Sequence, residues 1–165
     1  MLADSSVITR ADVDALIVTA AAQVLEKMFF TGIETSGNEG DIKMDSPVQV
    51  ELHFDGPLSG ALRLQIDEQV ARSLGSSLTC LEPDEFSRDR CVQLAGELAN
   101  MICGCLLSHL EPEANLALTP PVETPEPTGA KTGIRRWFCL PEGELIIHFL
   151  LEPICDSSPP ARVSS

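Results

Sequence analysis

Residues 87–110 read SRDRCVQLAGELANMICGCLLSHL, and the interpretation of the whole chain starts from this stretch. Its apolar residues recur every three or four positions, which is typical of a helix that packs one side on a core. Glu111-Pro112 follows, and the residue before a proline disfavours helical backbone. The stretch therefore predicts a long amphipathic helix from Ser87 to Leu110. The apolar positions are Val92, Ala95, Leu98, Ile102 and Leu106, with Leu94, Met101 and Cys105 widening the stripe.

The side of this helix that the apolar stripe leaves free carries polar and small residues. At about 100° per residue, these residues fall within roughly 60° of one another. They are Gln93, Glu97, Asn100 and Gly104. Relative to Ala, an interior Asn costs several tenths of a kcal/mol and an interior Gly about 1 kcal/mol. Locally unfavourable residues gathered on one face indicate a functional site, but every amphipathic helix has a polar face, so a purely structural interpretation stays open.

The segments before this helix predict a helix, a hairpin and a second helix. A helix from about Arg10 to Phe30 opens with a capping pattern at Thr9 and Asp12. Residues 48–54 and 60–66 alternate apolar and polar residues around a turn, which predicts a hairpin with one face on a core. A short helix, capped by Asp67, follows. The predicted buried residues of the two helices are Val13, Ile17, Ala20, Val24 and Met28, then Val70, Ala71, Leu74 and Leu78.

The segments after the long helix predict a second hairpin. Residues 115–118 suit a short strand, 119–127 an extended Pro-rich loop, and 135–140 with 144–152 the final hairpin. Short turns rather than helical crossovers join the paired strands. The sequence therefore predicts an α+β fold, with long helices on a mostly antiparallel sheet. A helix followed by two strands occurs twice, which leaves open whether the domain consists of two related halves. We expect one domain over residues 9–155, with flexible termini at 1–8 and 156–165.

Composition narrows the possible partners. The chain has 25 acidic and 11 basic residues, for a net charge of −14, which argues against nucleic acid or an anionic membrane as partner. We find neither a secretion signal at the start nor a run of membrane-spanning length, and we therefore expect a cytoplasmic protein. The six cysteines form no C-x-x-C pair, and we expect reduced, mostly buried thiols.

Motifs for metal, nucleotide or hydrolase chemistry are absent from the sequence. His53, His109 and His148 have no partner at metal-ligand spacing, so we expect no metal site and no bound cofactor. No Walker loop, G-x-G-x-x-G or G-x-S-x-G is present. The polar line on the long helix, formed by Gln93, Glu97, Asn100 and Gly104, remains as the candidate site.

The pattern Glu97-x-x-Asn100-Met101-Ile102-x-Gly104 resembles the signature of the CheX/CheC/FliY family of chemotaxis phosphatases, most closely the CheX type. The resemblance extends over residues 9–153, through the first helix, the strand at 60–64 with its short helix, and the Pro-bearing segment after the signature. The family commonly has Asp or Ser four residues before the Glu, where this chain has Gln93.

The resemblance implies a hydrolase whose substrate is a phosphorylated CheY-like response regulator. Asn100 is then expected to hold the attacking water and Glu97 to pair with the regulator's active-site lysine. Gln93, Gly96 and Gly104 are expected to contact the partner, the two glycines by letting its backbone come close. The Mg²⁺ is expected in the regulator rather than in this chain, and a homodimer is possible.

Two further interpretations stay open. A protein of this fold can dock a regulator or another protein as an adaptor without hydrolysing anything. A ligand-sensing domain with its site in the core is the other alternative, for which no residue gives positive evidence.

Overall fold

The computed structural model describes residues 9–40, 42–113, 115–124 and 133–151. Within these ranges the chain forms three α-helices and seven strands, together with a 3-10 turn at Pro83–Glu85. The bounds are α1 Arg10–Phe29, β1 Thr35–Gly37, β2 Pro47–Asp55, β3 Gly60–Asp67, α2 Glu68–Thr79, α3 Arg88–Leu110, β4 Ala117–Leu118, β5 Val122–Glu123, β6 Ile134–Leu140 and β7 Gly143–Leu151. The predicted α+β class is confirmed.

The seven strands form one antiparallel sheet. Its order is β1-β6-β7-β3-β2-β4, and β5 pairs with the same strand, β2, as β4 does. The two predicted hairpins, β2–β3 and β6–β7, join through β3 and β7 at the centre, where Leu64 lies opposite Ile147. The sequence did not predict β1 or β5, which have three and two residues and are too short for a periodic pattern.

The helices cover one face of the sheet and form a single core with it. Alternate strand residues such as Leu52, Leu62 and Phe149 are buried there against Ile17 of α1 and Leu98 of α3. This alternation follows from the period of two along a strand. The core therefore fixes which side of α3 faces inward.

The ends of α1 and α3 are set by capping. The Thr9 hydroxyl accepts a hydrogen bond from the Asp12 amide, and the Asp12 carboxylate accepts one from the Thr9 amide, at 3.0 and 3.2 Å. Ser87 caps α3 in the same way by accepting from the Arg90 amide. The cap predicted at Asp67 is wrong in detail, because its carboxylate accepts from the Ser46 amide instead and holds the loop before β2.

Several residues predicted to be buried are exposed. Met28 and Leu78 are each 43% exposed, because repeated steps of four residues drift away from a face whose period is 3.6 residues. The buried side of α1 ends at Leu25 and Phe29 instead. Of the cysteines in the described residues, Cys91 and Cys103 are buried while Cys80 is exposed. The prediction of mostly buried thiols is therefore only partly confirmed.

The expectation that no segment approaches a membrane span was wrong. Helix α3 has 23 residues and a window of mean hydropathy 1.4, enough to cross a bilayer by length and composition, yet 56% of that window is buried inside the protein. Its apolar side faces the sheet and α1, as in the core helix of a globular domain.

The domain limits and the oligomeric state stay predictions. The termini 1–8 and 156–165 lie outside the described residues, as do 152–155. The outer strand of the last hairpin, β6, is already paired with β1 over Trp137–Cys139. A dimer seam at this side of the sheet would therefore involve β1 as well.

Candidate functional site

Helix α3 holds the candidate site in a fixed orientation. Leu98, Ala99 and Ile102 are fully buried and anchor the helix on the sheet. Between them, the side chains of Glu97 and Asn100 are exposed. The two side chains are three residues apart, so they project from the same side of the helix about one turn from each other.

The side chains of Glu97 and Asn100 have no bonding partner among the described residues. In the part of the chain that the structure describes, Glu97 and Asn100 make no side-chain hydrogen bond and no ion pair. A buried or partnered pair would have supported a structural role, and this arrangement does not. The carboxylate and the carboxamide are both free to bind something outside the chain.

The other residues of the predicted line differ in their surroundings. Gln93 is exposed one turn before Glu97. Gly104 is half-buried, and a Cβ added there would meet no atom within 4 Å. Gly96 is buried, and a Cβ added there would lie 3.3 Å from Cβ of Pro121. The close approach that Gly96 allows is thus made by the chain's own Pro121, while its contact with a partner stays a prediction.

Two shallow depressions flank the ridge that Gln93 and Glu97 form. Each has a volume of about 220 Å³, and both include these two side chains. The first is completed by Val50, Val92, Gly96, Asn100 and Pro121. The second is completed by Gly75, Leu78, Thr79, Phe86, Arg90 and Leu94. A partner that covers the ridge therefore contacts a largely apolar surface on both sides of it.

Arg88, at the start of α3, links α2 and β5 near the first depression. Its guanidinium donates to Glu68 of α2 and, at 2.8 Å, to Glu123 of β5. The hydrogen bond from Arg88 lowers the pKa of Glu68, helped by Ser46 and Arg72 against the opposing effect of burial. The bond to Glu68 in turn raises the pKa of Arg88. This network holds β5, and with it Pro121, beside the ridge.

The chemistry available at the ridge is that of hydrogen bonding and charge. A carboxamide can orient a water through its oxygen or its NH₂ group, and a carboxylate can accept hydrogen bonds from a cation. Among the described residues, no group of three or more His, Cys, Asp and Glu side chains is placed to hold a metal ion. His148 is half-buried, and burial, with Arg63 and Arg135 nearby, lowers its pKa.

A larger depression lies away from the ridge. It encloses about 760 Å³ beside the start of α1 and is lined by residues such as Arg10, Asp14 and His148. Several of its charged groups already have partners: Arg10 donates to the Gly133 carbonyl, and Asp14 pairs with Arg136 at 3.0 Å. It brings together none of the residues singled out by the sequence motif.

Sequence reasoning missed three residues of the site. Pro121 reaches it because β5 pairs with β2, which no local pattern reveals. Phe86 immediately precedes the cap of α3, and its packing against Gly75 of α2 fixes it there. Arg90 had a signal in the sequence, since it precedes Glu97 by seven residues and so lies on nearly the same side of the helix.

Comparison with known proteins agrees with the resemblance noted in the sequence. Residues 48–125, which include α3, match the family described as chemotaxis phosphatase CheX. No curated protein matches the sequence significantly.

Solved structures share the fold over most of the chain. A chain of the CheX–CheY–BeF3–Mg²⁺ complex from Borrelia burgdorferi is 21% identical, with a TM-score of 0.68, covering 87% of this chain and 100% of that one. Chemotaxis protein CheX from Vibrio vulnificus is 18% identical, with a TM-score of 0.69 and coverages of 87% and 99%. FliY from Thermotoga maritima is 16% identical, with a TM-score of 0.50 and coverages of 87% and 91%. At these identities the likeness establishes the fold alone.

Proposed function

We propose that this chain, whose residues 48–125 match the CheX family of chemotaxis phosphatases, is a member of that family and hydrolyses the aspartyl phosphate of a CheY-like response regulator. The observation that carries the proposal is the exposure of Glu97 and Asn100, which lie one turn apart on a helix anchored in the core and have no partner in the described part of the chain. The relative from Borrelia burgdorferi was crystallised with CheY, BeF3 and Mg²⁺, which supports a regulator as the partner.

Asn100 is the group we assign to the attacking water. An acyl phosphate has a good leaving group, so its hydrolysis depends more on an oriented water than on a strong base. A neutral carboxamide binds water without repelling the phosphoryl oxygens, whereas a carboxylate at this position would repel them. The exposed Asn100 can enter a partner's active site because nothing in the described part of the chain holds it.

Glu97 is the group we assign to docking. It accepts hydrogen bonds from the ammonium group of the regulator's active-site lysine, one turn before the water-binding amide. Gln93 extends the same contact surface, and the open position at Gly104 leaves room for the partner backbone. Gly96 contributes indirectly by admitting Pro121 beside the ridge.

The metal of the reaction belongs to the partner. Mg²⁺ prefers oxygen ligands and keeps several waters, and it binds through a few carboxylates together with substrate phosphate. The regulator supplies these groups along with the phosphoryl group. We therefore assign no cofactor to this chain, and we place its work in the cytoplasm, where such a regulator is found.

The experiment is a phosphate-release assay with purified CheY-like regulators of the same organism, phosphorylated by a small-molecule donor in the presence of Mg²⁺. We expect wild-type protein to accelerate loss of phosphate from at least one regulator, and Asn100→Ala to remove most of the acceleration. An Asn100→Ala variant with wild-type activity would refute the assignment. Binding of a regulator without acceleration would instead identify an adaptor of the same fold.

The Glu97→Ala variant separates docking from chemistry. Because Glu97 acts on binding, the regulator concentration for half-maximal rate should rise, while the rate at saturation falls much less than in Asn100→Ala. Steady-state kinetics at increasing regulator concentration measure both quantities. If Glu97→Ala lowered only the saturated rate, the division of roles would be wrong.

A further inference from the structure

Arg90 is unlike the other arginines of the described residues. Five of the other six are Arg10, Arg72, Arg88, Arg135 and Arg136, which donate to a carboxylate or to a backbone carbonyl. The sixth, Arg63, pairs with Glu51. In the part of the chain that the structure describes, the Arg90 guanidinium makes neither kind of bond. It lies over the ring of Phe86, with its central carbon 5.9 Å from the ring centroid.

The position of Arg90 is nevertheless built into the fold. Phe86 is buried, and its ring occupies the space that a side chain at residue 75 would need, since a Cβ on Gly75 would lie 2.3 Å from the ring. The ring therefore cannot move towards α2. An arginine stacked on a fixed aromatic ring keeps its charge in one place and leaves its hydrogen-bond donors free.

Arg90 and Glu97 face the same depression from its two ends. Seven residues make nearly two helical turns, which places them on nearly the same side of α3 and about 10 Å apart along its axis. The surface between them includes apolar groups of Leu78 and Leu94. The depression thus has a positive end, a negative end and an apolar floor.

We propose that Arg90 is a docking residue that pairs with a carboxylate on the surface of the response regulator. This inference rests on the proposed function, because the contact between Glu97 and the regulator's lysine determines where the regulator lies along α3. The partner surface then carries a carboxylate about 10 Å from that lysine, matching two turns of α3. In a chain of net charge −14, a free cation beside the site also offsets the repulsion of an approaching phosphorylated partner.

The test measures binding rather than hydrolysis. A CheY-like regulator activated with beryllofluoride and Mg²⁺ is titrated into wild-type protein, Arg90→Glu and the matched control Lys43→Glu, which makes the same charge change at an exposed loop residue. We expect Arg90→Glu to raise Kd on the order of 10-fold, and more at low salt than at high salt, since a charge pair at an interface is screened by ions. Lys43→Glu should change Kd much less.

Each outcome of the titration decides the proposal. Equal effects of Arg90→Glu and Lys43→Glu overturn it, as does a wild-type protein that binds none of the organism's activated CheY-like regulators. A regulator variant in which a carboxylate near the active site is changed to lysine can be titrated into Arg90→Glu. If affinity recovers, that carboxylate is the partner of Arg90. A regulator that binds with this pattern but loses no phosphate faster contradicts the phosphatase function and leaves the docking proposal intact.

Discussion

Replacing Asn100 by Ala should make the protein more stable and less active at once. The Asn100 side chain is exposed and makes no hydrogen bond among the described residues, so its removal leaves no buried group unsatisfied. Asn is a poorer helix former than Ala by about 0.5 kcal/mol, and this amount is gained in the middle of α3. For a domain of this size the thermal midpoint should rise by about 1 to 2 °C.

The activity of the same variant should move in the opposite direction. If Asn100 orients the attacking water, its loss should lower the rate of phosphate release on the order of 100-fold, because a misplaced nucleophile loses most of the benefit of proximity. Thermal unfolding followed by circular dichroism and phosphate release under the same buffer conditions measure both effects. His109→Ala is the matched control, since His109 is exposed on the same helix but points away from the line.

Two results would contradict these expectations for Asn100→Ala. A fall in stability of about 1 to 3 kcal/mol in Asn100→Ala would indicate a hidden structural hydrogen bond, because that is the usual cost of an unsatisfied buried group. Wild-type activity with raised stability would show that the position is an ordinary surface residue. Only higher stability together with a lower rate of phosphate release agrees with a residue that is kept for function.

Three further measurements test other parts of the structure. Gly104→Ala should raise the free energy of unfolding by about 1 kcal/mol, since helix propensity improves and a Cβ meets no atom within 4 Å, and it should weaken regulator binding if the partner backbone lies there; a thermal melt and a titration check both. The pKa of Glu68 is lowered from its ordinary 4.5, chiefly by Arg88, so the ionised carboxylate stabilises the fold fully above pH 4.5 and loses this effect as the pH falls through the folded-state pKa. The free energy of unfolding of Glu68→Gln should therefore vary less with pH in acid than that of wild type. Burial raises the pKa of Cys103 to about 12, so a thiol reagent at neutral pH should modify the exposed Cys80 and spare Cys103. Mass spectrometry of the labelled native protein measures this, and faster labelling of Cys103 would contradict its burial.

Local patterns were sufficient to predict the main elements. The spacing of Val13, Ile17 and Val24 predicted α1, and the alternation over residues 48–54 predicted β2, because each side chain's burial follows from the period of its own element. The exposure of Glu97 and Asn100 followed from the same argument on α3. These features depend on residues that are close together in the chain.

Features set by long-range packing escaped prediction. Thr35–Gly37 becomes a strand because β6 lies beside it, and Val122 because β2 does. The pairing of β5 also brings Pro121 beside Gly96, which no local pattern indicated. The length and hydropathy of α3 satisfy the criteria for a membrane span, although the periodic pattern of its apolar residues had already predicted that one side packs on a core.

The outer edge of β2 bears on how the protein behaves at high concentration. Its backbone is paired with both β4 and β5. In addition, the Thr119 amide donates to the His53 carbonyl and the Thr124 amide donates to the Gln49 carbonyl, each at 2.9 Å. The residues between these bonds include Pro120 and Pro121, which have no amide hydrogen to offer a further strand. A nine-residue strand that would otherwise attract strands of other molecules is thus closed off by its own chain, which protects the protein against edge-to-edge aggregation.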